Sequence, residues 1–279
     1  MDLLEAIILG IVQGATEFLP VSSSGHLILV SWWLGLDSPP LIYTVMVHLG
    51  TTVAILLFFW KDWWQLLQAG FRAIKTRNFD WNQNLETRLL TLLIVGTIPA
   101  AVIGFLLADF FEDLFSTPAL VSLNLFITAG LLIYGEWATR RSEIQLDDSR
   151  ELGVIDSFII GSAQALAIMP GISRSGSTIA AGMARGLDRS SSTRFSFLLA
   201  TPIILAAGVL QIVEVLTKQE TLGEGLTHSL IAGFIVSAIV GFLCILLLLQ
   251  LVRKHGFYGF AGYCILFGLA SLGGVLVRG

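Results

Sequence analysis

Charge is what this sequence has least of. In 279 residues Asp, Glu, Lys and Arg together make up 13%, about half the share of a soluble globular domain. With 55% hydrophobic residues and a mean hydropathy of +0.82, that scarcity excludes an ordinary soluble domain and points to a polytopic membrane protein. Cysteine is nearly absent: Cys244 and Cys264 stand alone in separate apolar stretches. This excludes a disulfide framework or a cysteine metal site and leaves both as small packing residues. Excess positive charge is missing, the formal net charge being −4 with the basic residues scattered among connections, so no nucleic-acid partner is expected. The start, Met1-Asp2-Leu3-Leu4-Glu5, carries acid where a secretory signal would carry base, so a cleaved signal peptide is not expected.

What is abundant is long apolar sequence. Leu41–Trp60, Leu89–Ala108, Ala119–Gly135, Phe195–Leu216, Leu230–Val252 and Phe257–Val277 are each nearly uncharged and long enough to cross a bilayer core as helix. Four more apolar runs, Leu3–Val12, Leu27–Leu36, Val154–Met169 and Ile179–Leu187, are too short or interrupted to span and read as re-entrant half-helices. The expected fold class is therefore all-α: six full transmembrane helices plus two re-entrant helix pairs in a single integral membrane domain. The segment 61–84, with Trp60, Trp63 and Trp64 at its head, reads as an amphipathic helix lying on the membrane. Gly96-Thr97-Ile98-Pro99 and Thr201-Pro202 mark expected kinks.

Lys and Arg set the orientation. Lys61, Arg72, Lys75 and Arg77 follow the first span, Arg140, Arg141 and Arg150 the third, Arg253 and Lys254 the fifth, while Arg185, Arg189 and Arg194 precede the fourth. Asp109–Pro118 has neither residue and Thr217–Thr227 only Lys218. The basic connections are expected in the cytoplasm and both termini outside. The first re-entrant pair then enters from outside and the second, Val154–Asp188, from the cytoplasm. An inverted repeat of halves 1–140 and 151–279 is the corresponding expectation. A faint match at an offset of 151 supports it, pairing Gly10 with Gly161, Gln13 with Gln164, Ser22 with Ser173, Ser24 with Ser175 and Gly25 with Gly176. Pro20 and Pro170 fall one residue out of step.

Two polar, glycine-bearing segments interrupt this apolar background: Ser22-Ser23-Ser24-Gly25-His26 and Pro170-Gly171-Ile172-Ser173-Arg174-Ser175-Gly176-Ser177-Thr178. Such residues are costly at membrane depth, about 3 kcal/mol for a central arginine, so they mark function. Gly25 would open a helix at His26–Leu36 and Gly176 one at Ser177–Gly186, and free amides at helix starts suit an anion. Arg174 offers a fork to phosphate oxygens, and Glu17 shares a helix face with Gln13 four residues before it. The candidate catalytic residues are Glu17, Ser23, His26 and Arg174. The candidate substrate-binding residues are Gln13, Ser22, Ser24, Gly25, Gly171, Ser173, Ser175, Gly176 and Thr178.

Plainer roles compete with each assignment. Ser22 to Ser24 suit helix caps after Pro20. His26 and His48 could be interior histidines bonded to carbonyls, His48 lining the cavity otherwise. Arg174 could serve as a structural partner of Glu17. Glu214 reads as an interfacial carboxylate.

The run Gln13-Gly14-Ala15-Thr16-Glu17-Phe18-Leu19-Pro20-Val21-Ser22-Ser23-Ser24-Gly25-His26, together with Pro170 to Thr178 and Phe195-Ser196-Phe197-Leu198-Leu199-Ala200, closely resembles the bacterial undecaprenyl-diphosphate phosphatase family associated with bacitracin resistance. The likeness covers essentially the whole chain. It implies an integral enzyme of the bacterial plasma membrane, a hydrolase of a diphosphate anhydride that regenerates the carrier lipid of envelope polymers. The polyprenyl diphosphate is its implied substrate and membrane lipids its surroundings. The family's Glu-or-Gln, three residues, Glu motif falls on Gln13 and Glu17, its serine and histidine on Ser23 and His26, and its arginine on Arg174. A divalent cation, Mg²⁺ or Ca²⁺, is the implied cofactor, with Glu17 the sole carboxylate here to meet it. Ser23 would attack the terminal phosphorus or orient a water that does, with Glu17 or His26 as base. A homodimer is left open.

A transporter of a phosphorylated lipid or anion is the alternative from another class, since broken helices meeting at midplane also serve transport. A base beside a hydroxyl at the anion site separates the two. A phosphatidic-acid-phosphatase-type enzyme is excluded: Ala180 and Ala184 stand where its final motif needs histidine and aspartate.

Overall fold

A computed structural model of the chain is described over residues 1–78, 84–107, 117–141, 146, 148–217 and 224–278, without the side chains of residues 211, 212, 214–217, 224 and 225. The helices are α1 (Leu3–Phe18), α2 (Ser23–Leu34), α3 (Leu41–Phe58), α4 (Trp60–Thr76), α5 (Leu85–Leu106), α6 (Pro118–Arg141), α7 (Val154–Leu166), α8 (Arg174–Ala184), α9 (Arg189–Thr217), α10 (Glu224–Leu251) and α11 (Tyr258–Arg278). No strand occurs among the described residues, and α3, α5, α6, α9, α10 and α11 are long and apolar enough to cross a membrane. The all-α, six-span expectation holds. The two loops expected to face outward, apart from their ends, and the side chain of Glu214 lie outside the described residues.

Local chemistry explains the helix limits. Asp2 and Glu5 form a reciprocal capping box at the start of α1, satisfying two amides that helix geometry leaves without partners. Leu19, extended before Pro20, ends that helix, as a residue preceding proline tends to do. The hydroxyl oxygens of Ser22 and Ser173 accept from the amides of Gly25 and Gly176 at 3.3 and 3.0 Å. Both serines are therefore N-caps, and α2 and α8 begin three residues earlier than the glycines suggested. Pro99 and Pro202 sit inside continuous helices, α5 and α9.

Packing arranges the short helices as two hairpins, α1 with α2 and α7 with α8. Helix α1 packs on α10 and α3, while α7 packs on α5; α3 meets α9 and α6 meets α11. Helices α7 and α5 approach so closely that a Cβ on Gly161 would lie 1.9 Å from the Gly96 carbonyl oxygen, so glycine is required there.

Each hairpin is anchored by its own polar contacts. In the first, Trp33 of α2 donates to Ser271 of α11 at 3.1 Å. Around the second, Arg88 at the start of α5 donates to the Leu152 carbonyl at 3.0 Å, and Arg185 bonds Asp156 at 2.7 Å. Further ion pairs join Arg150 with Asp148 and Glu86, Arg194 with Asp62, and Arg189 with the fully buried Glu136 at 2.7 Å. A cavity of about 410 Å³ there is lined by Asp62, Glu86, Asp148, Arg150 and Arg194 among others; none of the candidate site residues lines it. Cys244 and Cys264 are free thiols, as expected.

Candidate active site

The hairpin turns meet inside the bundle. Gly25 lies against Gly171, whose Cα would be 3.1 Å from an added Cβ, and Gly176 lies beside Pro20. The Ser175 hydroxyl donates to the Leu19 carbonyl at 3.2 Å. Gly171 has φ +91°, and a Cβ there would stand 2.4 Å from the Val121 carbonyl oxygen. Two residues of α6 clamp this second turn: Asn124 donates to the Pro170 carbonyl at 2.7 Å, and the Thr128 hydroxyl donates to the Gly171 carbonyl at 3.0 Å while accepting from the Ser173 amide at 2.9 Å.

Where the turns meet, Glu17 is the hub. It is 6% exposed, and its carboxylate accepts from Gln13 Nε2 at 2.8 Å, from the Ser23 hydroxyl at 2.5 Å and from Arg174 Nη2 at 2.6 Å. His48 Nε2 stands 3.8 Å from the same carboxylate, and His48 Nδ1 lies 2.8 Å from the Thr44 carbonyl oxygen. The i, i+4 spacing explains Gln13 and Glu17, whereas Arg174 arrives from 157 residues away. Arg174 thus does pair with Glu17, but only through one arm. Among the described residues its Nη1, though buried, has no partner, and neither has Gln13 Oε1. A buried guanidinium nitrogen without an acceptor costs free energy unless something anionic completes it.

The other candidates divide by position. Ser22 and Ser173 are spent on capping, Ser22 at φ +73°. The Ser24 hydroxyl lies 3.4 Å from that of Ser22, and Ser175 is 3.2 Å from Ser173. Thr178 bonds the Arg174 carbonyl at 2.9 Å and Ser196 at 2.6 Å, so it braces α8 against α9. His26 is not brought to Glu17 by any hydrogen bond. Its Nδ1 lies 2.7 Å from the Ser22 carbonyl and must carry the proton there, which leaves Nε2 to accept from the Tyr263 hydroxyl at 2.7 Å. The ring stacks on Phe267 at 4.7 Å. Both nitrogens hold scaffold, one of them directly on the loop that presents Ser23.

Sequence reasoning did not place Asn124, Thr128 or Tyr263 at the site, and left His48 undecided. Each is a lone polar residue in an apolar span, a signal that packing produces as readily as function.

Among the described residues no group of three or more His, Cys, Asp or Glu side chains could hold a metal ion. Glu17, the expected carboxylate, is already engaged by Gln13, Ser23 and Arg174. These residues do not build a resident all-protein site for Mg²⁺ or Ca²⁺, which take several oxygen ligands.

A half-buried serine hydroxyl on a buried carboxylate, with a half-free arginine at the start of α8, sits in a multi-pass membrane protein, an arrangement able to activate a hydroxyl next to an anion. The chain belongs to the family described as bacitracin resistance protein BacA, which matches residues 6–270. It is similar to a protein named undecaprenyl-diphosphatase from Desulforudis audaxviator (strain MP104C), 42% identical over 100% of both chains. Proteins of the same name from Methanosphaera stadtmanae and Rubrobacter xylanophilus are 41% identical, covering 98% of each chain, and 42% identical, covering 98% of this chain and 97% of the relative.

Proposed function

We propose that this chain is a membrane-embedded phosphatase that hydrolyses undecaprenyl diphosphate to undecaprenyl phosphate and inorganic phosphate, recycling the envelope carrier lipid and conferring bacitracin resistance. One observation carries the reading: the Ser23 hydroxyl donates to Glu17 at 2.5 Å while Arg174, paired with the same carboxylate, keeps Nη1 buried and unpartnered. Anion transport needs no base on a hydroxyl, and hydrolysis does.

In this mechanism Nη1 of Arg174 and the first amides of α2 and α8 hold the terminal phosphate and stabilise the charge that develops on it. Ser23 Oγ attacks the terminal phosphorus and Glu17 takes its proton. The bond from that phosphorus to the bridging oxygen breaks, and its electron pair leaves on the lipid monophosphate, to which Glu17 hands the proton. Water then attacks the phosphoserine with Glu17 again as base, releasing phosphate and restoring Ser23. His26 positions the Ser22–Ser23 backbone. A divalent cation, Mg²⁺ or Ca²⁺, would be held mainly by the substrate's own phosphates and water, and would supply further neutralisation of phosphate charge.

The setting follows from the same reading. The basic connections face the cytoplasm of a bacterial cell, both termini lie outside the plasma membrane, and the site opens outward. The exchange of partners between α1 on α10 and α7 on α5 supports an inverted repeat of halves 1–140 and 151–279. Glu17, Ser23 and Arg174 come from one chain, so the chemistry requires neither a homodimer nor nucleic acid.

The test is an oxygen-18 experiment in detergent, where no compartments exist and transport produces nothing. Protein incubated with undecaprenyl diphosphate in H₂¹⁸O should release phosphate carrying one ¹⁸O and leave unlabelled lipid monophosphate. Lipid diphosphate recovered intact from folded protein would refute the reading.

A further inference from the structure

Helix α4 has three distinct faces, and among the described residues only one of them is packed against the rest of the bundle. Leu66, Ala69 and Ala73 are buried as α4 packs on α5, with Leu90 of α5 filling the space beside Gly70. On the opposite side Trp60, Trp64, Leu67, Phe71 and Ile74 recur at helical steps and are 58, 59, 62, 69 and 68% exposed. A groove of about 410 Å³, lined by Trp64, Leu67, Gln68, Phe71 and Arg72, runs along this stripe. At roughly 100° per residue, Lys61, Arg72 and Lys75 fall together on the flank between these two faces. All three are exposed.

The charges on α4 are one-sided. Its single carboxylate, Asp62, is turned inward onto Arg194 of α9, so no acid of α4 itself accompanies the exposed cations on that flank. The Lys61 ammonium lies 5.7 Å from the ring of Trp60, which places a cation and an amphipathic ring side by side at the edge of the stripe. Helix α4 is not among the helices apolar enough to span. A helix of low net hydrophobicity with an apolar face, aromatic residues and a cationic flank is suited to lie in a bilayer interface. Exposed lysines and arginines at that depth favour anionic headgroups.

The geometry points to α4 as a docking surface for anionic phospholipid, the acyl chains seated along Trp64, Leu67 and Phe71 and headgroup phosphates met at two places on the flank, one by Lys61 near the helix start and another by Arg72 and Lys75 near its end. Charge complementarity selects this occupant: a zwitterionic lipid would cover the stripe equally well but leave the cationic flank without a counter-charge. The surface lies outside the Glu17–Arg174 site and does not depend on the activity proposed for it.

The test uses the intact protein in phosphatidylcholine bilayers containing a trace of nitroxide-labelled lipid, with electron paramagnetic resonance measuring the fraction held motionally restricted. Labelled phosphatidylglycerol should associate more strongly than labelled phosphatidylcholine, by about fivefold at low salt and less at high salt. The combined Lys61→Gln, Arg72→Gln and Lys75→Gln protein should lose most of that preference while keeping its melting temperature. A preference unchanged by the triple substitution, or equal association of the two lipids with the unsubstituted protein, would overturn the proposal. A second readout asks what covers the stripe: an environment-sensitive dye on Phe71→Cys should be quenched by brominated phospholipid. Disulfide linkage of two copies through that position, without lipid quenching, would assign the face to self-association instead.

Discussion

Replacing Arg174 by lysine separates two tasks that one guanidinium performs at once. Nη2 donates to Glu17 at 2.6 Å and Nη1 is buried without a partner, so the side chain both neutralises the hub carboxylate and holds a donor ready. Lysine keeps the charge but has a single nitrogen on a flexible stem. Drawn to the buried Glu17, it cannot also reach where Nη1 stands. Arg174→Lys should therefore fold with a melting temperature near that of the wild type and lose the turnover that one preorganised donor supplies, about 10²–10³ in kcat or roughly 3–4 kcal/mol. Arg174→Ala should lose the counter-charge as well, costing about 3–5 kcal/mol of stability because an uncompensated carboxylate stays buried. The assay is phosphate release from undecaprenyl diphosphate in detergent, with kcat and KM measured beside thermal melting. Near wild-type turnover in folded Arg174→Lys protein would refute the division of labour between the two arms.

Other substitutions test other parts of the account. Tyr263→Phe removes the hydroxyl at 2.7 Å from His26 Nε2; kcat should fall about three- to tenfold with stability lowered by about 1 kcal/mol, read by phosphate release and melting. Gly161→Ala puts a methyl 1.9 Å from the Gly96 carbonyl oxygen and should destabilise by about 3 kcal/mol or more, seen as a lower melting temperature and less folded protein. Hydrogen bonds from Arg150 hold the Asp148 carboxyl below its ordinary range. A carboxyl depressed in the folded state stabilises above its unfolded pKa and loses that contribution as pH falls through the folded value. Asp148→Asn should therefore melt slightly below the wild type at neutral pH, and the gap should close as the pH drops below about 4.

Much of this architecture is legible in the chain because a bilayer imposes length and composition on helices. Leu41–Trp60 and Phe257–Val277 as read from hydropathy differ from α3 and α11 by only a few residues at their ends. The hub was partly legible as well: Gln13 and Glu17 share a helix face by spacing, and Glu17 lies among apolar neighbours that demand a partner. Other features depend on contacts between distant segments. That Arg174 meets Glu17 follows from the meeting of the two hairpins, and that Tyr263 meets His26 across 237 residues and that Asn124 and Thr128 clamp the second turn follow from the packing of α6 and α11, none of which leaves a local trace. The starts of α2 and α8 were displaced because Ser22 and Ser173 compete with the neighbouring glycines as end signals, and the hydroxyl caps prevail by satisfying amides that glycine leaves open.

The most direct measurement is the rate of phosphate release from undecaprenyl diphosphate by wild type, Ser23→Ala and Glu17→Gln proteins, purified in detergent and matched for folded content by melting. The wild type should release one phosphate per lipid diphosphate, and both variants should fall by about 10² or more, since Ser23→Ala removes the hydroxyl that donates at 2.5 Å and Glu17→Gln removes the carboxylate base that accepts from it. Undiminished release by folded Ser23→Ala and Glu17→Gln would contradict the assignment of the Ser23–Glu17 pair as the chemical centre, and no release by the wild type would contradict the phosphatase itself.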